Sequence, residues 1–127
     1  MAALESLAVR SQLEVRIESA LPEGTELPLE IERNAYFVAS ELLTNVTKHS
    51  RANLATVRIA LRRLPEPDET WLDVEVTDDG CGGAVREDGH GLAGLEERLR
   101  GLGGVFELSS PVGGPTVAAG HLPVTLG

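Results

Sequence analysis

Two segments of alternating apolar and polar residues, joined by a short proline-rich turn, most constrain how this chain can fold. Residues 53–61 and 71–78 place apolar side chains at every second position, the periodicity of a strand with one solvent-facing side. The intervening Pro-Glu-Pro-Asp-Glu segment, residues 65–69, has the composition of a hairpin connection. The pattern therefore predicts an antiparallel sheet whose second face is covered by helices.

The rest of the chain supplies those helices and the remaining strands. By apolar spacing we predict helices at 3–10, 29–49 and 92–102 and further strands at 13–17, 105–109 and 116–122. Pro28 precedes the long helix, and Gly103-Gly104 is expected to end the last one. The predicted fold is a two-layer α/β sandwich, in which a mixed, mostly antiparallel five-stranded sheet has its helices packed on one face. The length of 127 residues fits a single domain spanning residues 1–127.

Charge and cysteine content exclude several classes of function. The formal net charge of −9 makes general binding of nucleic acid or of an anionic membrane unfavourable, because both need cationic patches. The single cysteine, Cys81, excludes an internal disulfide framework and fits a reducing compartment. No apolar run approaches the roughly 20 residues that cross a bilayer, and the first residues lack the pattern of a signal peptide. We therefore expect a cytoplasmic chain.

One side of the long predicted helix carries a row of chemically useful groups. Glu41, Asn45, Lys48 and His49 recur at spacings of three and four, which places them along one stripe. A carboxylate, an amide oxygen and two cationic groups in a row could hold a hydrated Mg²⁺ and a phosphate chain. A solvated helix face would show the same pattern, so this stripe alone decides nothing.

The end of the second strand of the hairpin carries a carboxylate in an unusual place. Asp78 has the parity of the apolar residues of its strand, so its side chain should point toward the core, where it needs a hydrogen-bond donor. A purine amino group would be such a donor. Gly80 and Gly82 would let the chain turn away while a flat ring lies against the backbone. The alternative is a plain Asp-Asp-Gly turn.

Glycines are concentrated after this strand: 11 of the 14 fall between Gly80 and Gly114. Residues 89–94 read Gly-His-Gly-Leu-Ala-Gly and open the last predicted helix. Backbone N–H groups at a helix start bind phosphate, and missing β-carbons permit close approach. The alternative is a helix cap with a flexible loop. Residues 113–116 by themselves read as a hairpin turn.

In their order and spacing these segments resemble the ATP-binding domain shared by sensor histidine kinases, DNA gyrase, Hsp90-type chaperones and mismatch-repair ATPases. Residues 41–50, 78–82 and 89–98 look like the N, G1 and G2 boxes of bacterial two-component histidine kinases of the nitrate-sensor and thermosensor subfamily. Residues 114–123 resemble the last strand of that domain. The resemblance runs from about residue 3 to residue 124 and implies a Bergerat-type ATP-binding fold.

The resemblance implies ATP and Mg²⁺ as ligands and assigns the phosphate side of the site. Asn45 matches the residue that holds the Mg²⁺ bridging the phosphates. Glu41 matches the acid that orients a metal-bound water or assists proton transfer, so these two residues form the implied catalytic and metal set. Lys48 and His49 match basic positions near the phosphates.

The resemblance also assigns the adenine side of the site and its lid. Asp78 matches the aspartate that accepts from the adenine amino group, and Thr116 matches a threonine that contacts the adenine region, often through water. The remaining implied nucleotide contacts lie at the adenine turn, in the lid and at the following helix start: Gly80, Gly82, Gly89, His90, Gly91, Leu92 and Gly94. Two positions depart from the pattern, because Gly83 stands where the family usually has an apolar residue and Pro115 where it often has glycine.

The phosphorylated histidine of such kinases lies on a separate helical hairpin, and nothing in residues 1–127 matches it. His49, His90 and His121 all fall inside the ATP-binding pattern. The chain is therefore expected to bind Mg-ATP and to supply the γ-phosphoryl group to a histidine on a separate dimerisation domain, in cis or in trans. A response regulator would act downstream. By itself the chain is not expected to autophosphorylate, nor to contact nucleic acid or a membrane, although it could be the cytoplasmic part of a membrane-bound sensor.

Two other functions remain open from the sequence. An anti-sigma-factor serine kinase has the same fold and would use Glu41 as a base toward a serine of its partner. The length of the chain favours this alternative, whereas the Lys48-His49-Ser50 and Gly89-His90-Gly91 phrases favour the histidine kinase. A non-catalytic nucleotide-binding module is disfavoured by the presence of Asn45 and Asp78.

Overall fold

A computed structural model describes residues 14–49, 53–66, 68–80 and 92–124, with the backbone alone at residues 47–49. The helix predicted at residues 3–10 lies outside the described residues. The described elements are strand β1 (Glu14–Ser19), helix α1 (Leu29–His49), strands β2 (Leu54–Leu64) and β3 (Glu69–Asp78), helix α2 (Leu92–Gly101), and strands β4 (Val105–Ser109) and β5 (Thr116–Val124).

The five strands form one sheet in the order β1-β2-β3-β5-β4. The β1–β2 pair is parallel, and the other three pairs are antiparallel. The two helices are packed together and against the sheet, so the predicted two-layer sandwich with its helices on one face is confirmed. Alternation in the strands explains this arrangement, because it gives the sheet one apolar face and the helices one apolar stripe to bury against it.

The central hairpin is longer than predicted. Strands β2 and β3 continue in register to the Leu64–Glu69 pair, so the predicted limits at 61 and 71 were too short. The added residues are held across the strands by charge rather than by apolar packing. Arg62 donates two hydrogen bonds to Asp73, of 3.0 and 3.1 Å, and its guanidinium lies 5.9 Å from the centre of the Trp71 ring. These side chains occupy the sheet face away from the helices.

Helix α1 has the predicted limits and covers the middle of the sheet. Its first turn follows Pro28, whose carbonyl accepts the Glu32 N–H, and it carries acidic residues where the helix dipole favours negative charge. The apolar stripe predicted from spacing is buried throughout: Ala35, Val38, Ala39, Leu42 and Val46 are each at most 7 % exposed. The opposite, polar side of α1 is therefore free to carry other groups. No helix in the described ranges is long and apolar enough to span a bilayer.

Helix α2 ends in a Schellman motif. The Gly104 N–H donates to the Leu99 carbonyl at 2.7 Å and the Gly103 N–H to the Arg100 carbonyl at 3.1 Å, while Gly103 has φ +78°. The predicted stop at the glycine pair is confirmed. The predicted end of the helix at residue 102 was one residue too far, because the helix ends at Gly101 and Leu102 is 36 % exposed.

Both helices meet the sheet at Gly120, in the middle of β5. An ideal Cβ on Gly120 would stand 2.7 Å from Val38 Cγ1 of α1 and 3.2 Å from Leu99 Cδ1 of α2. The absence of a side chain at Gly120 therefore allows both helices to pack side by side against β5. Their contact continues away from the sheet, where the Arg98 guanidinium stacks 4.0 Å from the centre of the Phe37 ring.

Candidate functional site

Two buried polar side chains lie side by side at one end of the sheet. Asp78, the last residue of β3, pairs in register with Thr116, the first residue of β5. Asp78 is 3 % exposed and Thr116 is 7 % exposed, and of the polar residues that the structure describes only these two are classed with the core. The burial of Asp78 that strand parity predicted is confirmed. A buried carboxylate is costly unless hydrogen-bond donors surround it, so this end of the sheet is a candidate ligand site.

Asp78 has one hydrogen bond within the described chain. Its Oδ1 accepts the Gly80 N–H at 2.8 Å, and no described residue donates to Oδ2. Burial raises the pKa of the Asp78 carboxyl; the Gly80 N–H opposes that rise, and the nearby charge of Asp79 adds to it. The Gly80 N–H therefore offsets only part of the effect of burial on this carboxylate, and an additional donor at Oδ2 would stabilise its charged form.

A serine that sequence analysis missed extends this pair into a row. Ser110, just after β4, lies with its Oγ 2.6 Å from Thr116 Oγ1. The β4–β5 register places Ser109 opposite Val117, so Ser110 and Thr116 form the next pair of the ladder. Asp78, Thr116 and Ser110 thus stand in one line across β3, β5 and β4, and we call this line the polar row. The hairpin register would have revealed Ser110, but that register is not readable from local sequence.

A second missed residue, Asp79, fixes the position of the row. Its Oδ1 accepts the Asn53 N–H at 2.8 Å and the Leu54 N–H at 3.0 Å, and its own N–H donates to the Leu54 carbonyl at 3.2 Å. These backbone donors lower the pKa of the Asp79 carboxyl. The sequence offered only turn chemistry for this aspartate. In the structure it clamps the end of β3 to the start of β2 and so anchors the strand end that carries Asp78.

Replacement of this clamp should show up in stability and in its pH dependence. Asp79→Ala is expected to lower the urea midpoint of unfolding at pH 7, because two backbone donors lose their acceptor. The folded pKa of Asp79 lies below the ordinary value of about 3.9, so its contribution is full above that pH and disappears as pH falls through the folded pKa. The midpoints of wild type and variant should therefore converge in acid. Asp68→Ala, which removes an exposed ion pair with Arg63, is the control. If Asp79→Ala had the same urea midpoint as wild type at pH 7, the proposed role of Asp79 in joining β3 to β2 would be wrong.

Helix α1 brings Glu41 and Asn45 to the same end of the molecule. The helix ends at His49, and Asn53, four residues on, is bonded to Asp79 beside the polar row. Asn45 Nδ2 donates to the Glu41 carbonyl at 2.9 Å. Because a carbonyl can only accept, the amide nitrogen must face it, and Asn45 Oδ1 is left as an oxygen without a partner among the described residues. The side chains of Lys48 and His49 lie outside the described part.

Glu41 borders an open cleft between the two helices. The cleft has a volume of about 570 Å³ and is lined by Phe37, Glu41, Gly94, Leu95, Glu97 and Arg98. Phe37 of α1 faces Arg98 of α2, and Glu41 lines the same cleft as Gly94, near the start of α2 at Leu92. A Cβ on Gly94 would meet no atom within 4 Å, which leaves the approach to this helix start open. The first N–H groups of a helix have no partner within it.

The structure places the predicted site residues that it describes in three parts of the fold. Asp78, Gly80 and Thr116 lie at the sheet end, Glu41 and Asn45 on α1, and Leu92 and Gly94 at the start of α2. The other predicted contacts, Gly82, Gly89, His90 and Gly91, lie outside the described residues. Within the described ranges no group of three or more His, Cys, Asp or Glu side chains could hold a metal ion, and Mg²⁺ stays a prediction of the resemblance.

Comparison with known proteins identifies the family of this chain. Residues 30–126 match the family described as histidine kinase-, DNA gyrase B-, and HSP90-like ATPase. The chain is 32 % identical over 107 residues to the signal transduction histidine-protein kinase/phosphatase UhpB of Salmonella typhimurium, covering 84 % of this chain and 19 % of that protein. It is 31 % identical over 101 residues to the sensor histidine kinase YxjM of Bacillus subtilis, covering 80 % of this chain and 23 % of the relative. The chain thus spans about a fifth of the length of these curated relatives.

Solved structures show the same fold at lower sequence identity. The Acinetobacter baumannii histidine kinase AdeS superposes with a TM-score of 0.70 at 17 % identity, over 98 % of this chain and 64 % of that one. The blue-light activated histidine kinase of Erythrobacter litoralis EL346 gives 0.67 at 21 % identity, over 97 % and 39 %. The fold that the resemblance implied is confirmed. The chain belongs to the histidine kinase-, DNA gyrase B- and HSP90-like ATPase family, on its histidine kinase branch.

Proposed function

We propose that this chain binds Mg-ATP and supplies its γ-phosphoryl group to a histidine on a separate dimerisation domain of a two-component sensor kinase. The family match supports nucleotide binding, and the names of the relatives support the histidine kinase reading over the anti-sigma-factor alternative. Because the chain covers only about a fifth of those relatives, residues 1–127 are assigned the ATP side of the reaction alone.

The polar row is the observation that carries this proposal. A carboxylate that is 3 % exposed, with one oxygen bonded to Gly80 and no donor to the other among the described residues, would be stabilised by a ligand that offers an N–H group. The adenine amino group is such a donor. The hydroxyl of Thr116, directly across from Asp78, can bond a neighbouring ring nitrogen itself or through a water. The sheet end is thus suited to read the edge of an adenine ring.

Asn45 fits a magnesium ligand, because its amide leaves Oδ1 free for a hard cation while Nδ2 is held by the helix. When bound, Mg²⁺ would neutralise charge on the phosphate chain. The helix start at Leu92 and Gly94 would offer backbone N–H groups to the same phosphates. We place Lys48 and His49, in the last turn of α1, among the phosphate contacts on the basis of the resemblance. These local cations and N–H groups would offset the net charge of −9, which disfavours a polyanion elsewhere on the chain.

The chain's part in phosphoryl transfer is mainly to position the nucleotide. Asp78 and Thr116 would fix the base at the end of the sheet, and Asn45 of α1 would fix the phosphate chain. The γ-phosphate would then be presented beside Glu41 and the cleft between α1 and α2. Glu41 is the carboxylate nearest that cleft on α1, where it could orient a water or take part in proton transfer. The partners would be the histidine domain, in cis or in trans, and a downstream response regulator. We place this reaction in the cytoplasm.

Magnesium dependence tests the proposal directly. Calorimetric titration of the chain with ATP is expected to give an affinity at least about tenfold lower in EDTA than in excess Mg²⁺, because the acidic surface offers few other means of holding phosphate. Asn45→Ala should remove most of that difference. Thr44→Ala, which changes an exposed neighbour whose hydroxyl donates to the Ser40 carbonyl, should retain that difference. Equal ATP affinity with and without the metal would contradict the proposed phosphate site.

A further inference from the structure

We propose that Ser110 is a positioning residue that orients the Thr116 hydroxyl and thereby contributes to the choice of adenine over other purine bases. The inference rests on the proposed function, because it concerns the base end of the same nucleotide site. The motifs of the sequence do not single out this serine. It is identified by its contact, a 2.6 Å distance between Ser110 Oγ and Thr116 Oγ1 at a half-buried position.

The geometry joins three strands into one hydrogen-bonding surface. Asp78 ends β3, Thr116 begins β5 directly opposite, and Ser110 follows β4 on the far side of Thr116. The next residues on the same face of the sheet are apolar: Val76 and Ala118 belong to the core, and Leu108 packs against it. The polar row is thus the first layer beyond the core, and Thr116 is held between a carboxylate and a second hydroxyl.

The hydrogen-bond donors and acceptors of the polar row show what Ser110 contributes. A free hydroxyl rotates, and Thr116 could then serve either as donor or as acceptor toward a ligand. We infer that Ser110 donates to Thr116 Oγ1, so that the Thr116 proton is directed away from Ser110. Beside it, ionised Asp78 can only accept. The site then presents the Asp78 carboxylate as an acceptor next to the Thr116 hydroxyl as a donor.

This pattern complements adenine and opposes hypoxanthine or guanine. Adenine places an amino donor next to an unprotonated ring nitrogen, which matches the Asp78 acceptor and the Thr116 donor. Hypoxanthine places a carbonyl oxygen next to a ring N–H, so each position would face a group of its own kind. Buried polar groups left unpaired in this way discriminate strongly between ligands. Loss of Ser110 would free the Thr116 hydroxyl to rotate and would weaken that discrimination.

The test compares ATP with inosine triphosphate, both with Mg²⁺, in calorimetric titrations. Ser110→Ala is expected to weaken ATP binding about threefold to tenfold with little effect on inosine triphosphate, so the ratio of the two affinities falls. Ser110→Thr keeps the hydroxyl and should restore the ratio. Ser109→Ala is the matched control, because Ser109 is exposed and pairs with Val117 instead of Thr116.

Coupling to Thr116 separates positioning from a merely structural bond. In a Thr116→Val background, the additional change Ser110→Ala should leave the affinity ratio unchanged, because the hydroxyl that it orients is gone. A Ser110→Ala variant that loses thermal stability but keeps the wild-type ratio would overturn the inference while leaving the proposed function intact. Absence of ATP binding by the wild-type chain would overturn the proposed function and, with it, the role of Ser110.

Discussion

Asp78→Asn is expected to remove most of the ATP affinity without weakening the fold. The Gly80 N–H needs an acceptor, so the oxygen of the new amide will take the place of Oδ1. The amide nitrogen is then left at the Oδ2 position, where it faces the adenine amino group donor to donor. Loss of a charge-assisted hydrogen bond and creation of this mismatch should lower the affinity for Mg-ATP about a hundredfold.

The stability of the same variant should move in the opposite direction from its affinity. Burial raises the folded pKa of Asp78, so the ionised carboxylate lowers the free energy of unfolding at neutral pH. Wild type therefore regains this contribution as pH falls through the folded pKa, and it is fully present below the unfolded value. An uncharged asparagine has no such cost, so Asp78→Asn should be as stable as wild type or more stable at pH 7.5, with the difference vanishing in acid.

Calorimetry with Mg-ATP and urea unfolding between pH 4 and pH 7.5 measure both effects. Asp68→Asn, in the exposed hairpin at the other end of β3, is the control and should change neither quantity appreciably. A variant that loses affinity and stability together would show that Asp78 is a structural residue whose ligand role is secondary. Wild-type affinity in a stable Asp78→Asn chain would remove the adenine assignment altogether.

Gly104→Ala is expected to be among the most destabilising single changes in the chain. An ideal Cβ at this position would overlap the backbone carbonyl oxygen of His121 and stand 3.1 Å from that of Leu99. Neither atom belongs to a flexible side chain, so the Schellman turn and β5 would have to separate. We expect a loss of about 3 kcal/mol in the free energy of unfolding, at the upper end of the range for overpacking.

A neighbouring glycine provides the matched control. A Cβ on Gly101, the last residue of α2, would meet no atom within 4 Å. Gly101→Ala is therefore expected to stabilise the chain by about 0.5 kcal/mol, because it restricts the unfolded backbone. Urea unfolding of the two variants measures the contrast. If Gly104→Ala unfolded at the wild-type midpoint, α2 would have to end in some way other than the one described.

Local periodicity accounts for what could be predicted. Strand parity alone placed Asp78 among the core residues, and helical spacing identified the buried stripe of α1, because each pattern reports which side of one element faces the core. The stop of α2 was visible in its glycines. The predicted end of this helix at residue 102 was one residue too far, because apolar spacing does not show which residue before the Gly103 turn is the last in the helix.

Contacts between distant segments account for what was missed. Nothing near Ser110 shows that its hydroxyl meets Thr116, since the pairing depends on where the β4–β5 hairpin turns. Asp79 looked like a turn residue because the two N–H groups that donate to its carboxylate, those of Asn53 and Leu54, lie at the start of β2, far away in sequence. In both cases register decides the contact, and register is a property of the assembled sheet.

The strand order has a consequence for how this chain acquires its binding site during folding. Strand β5 lies between β3 and β4 although it is the last of the three in sequence, so the polar row is completed only when the final strand has docked. Such long-range closure is slow relative to local hairpin formation. A ligand that recognises only the completed sheet raises the stability of the whole domain by mass action. Nucleotide concentration would therefore govern how much of the chain survives heat or proteolysis.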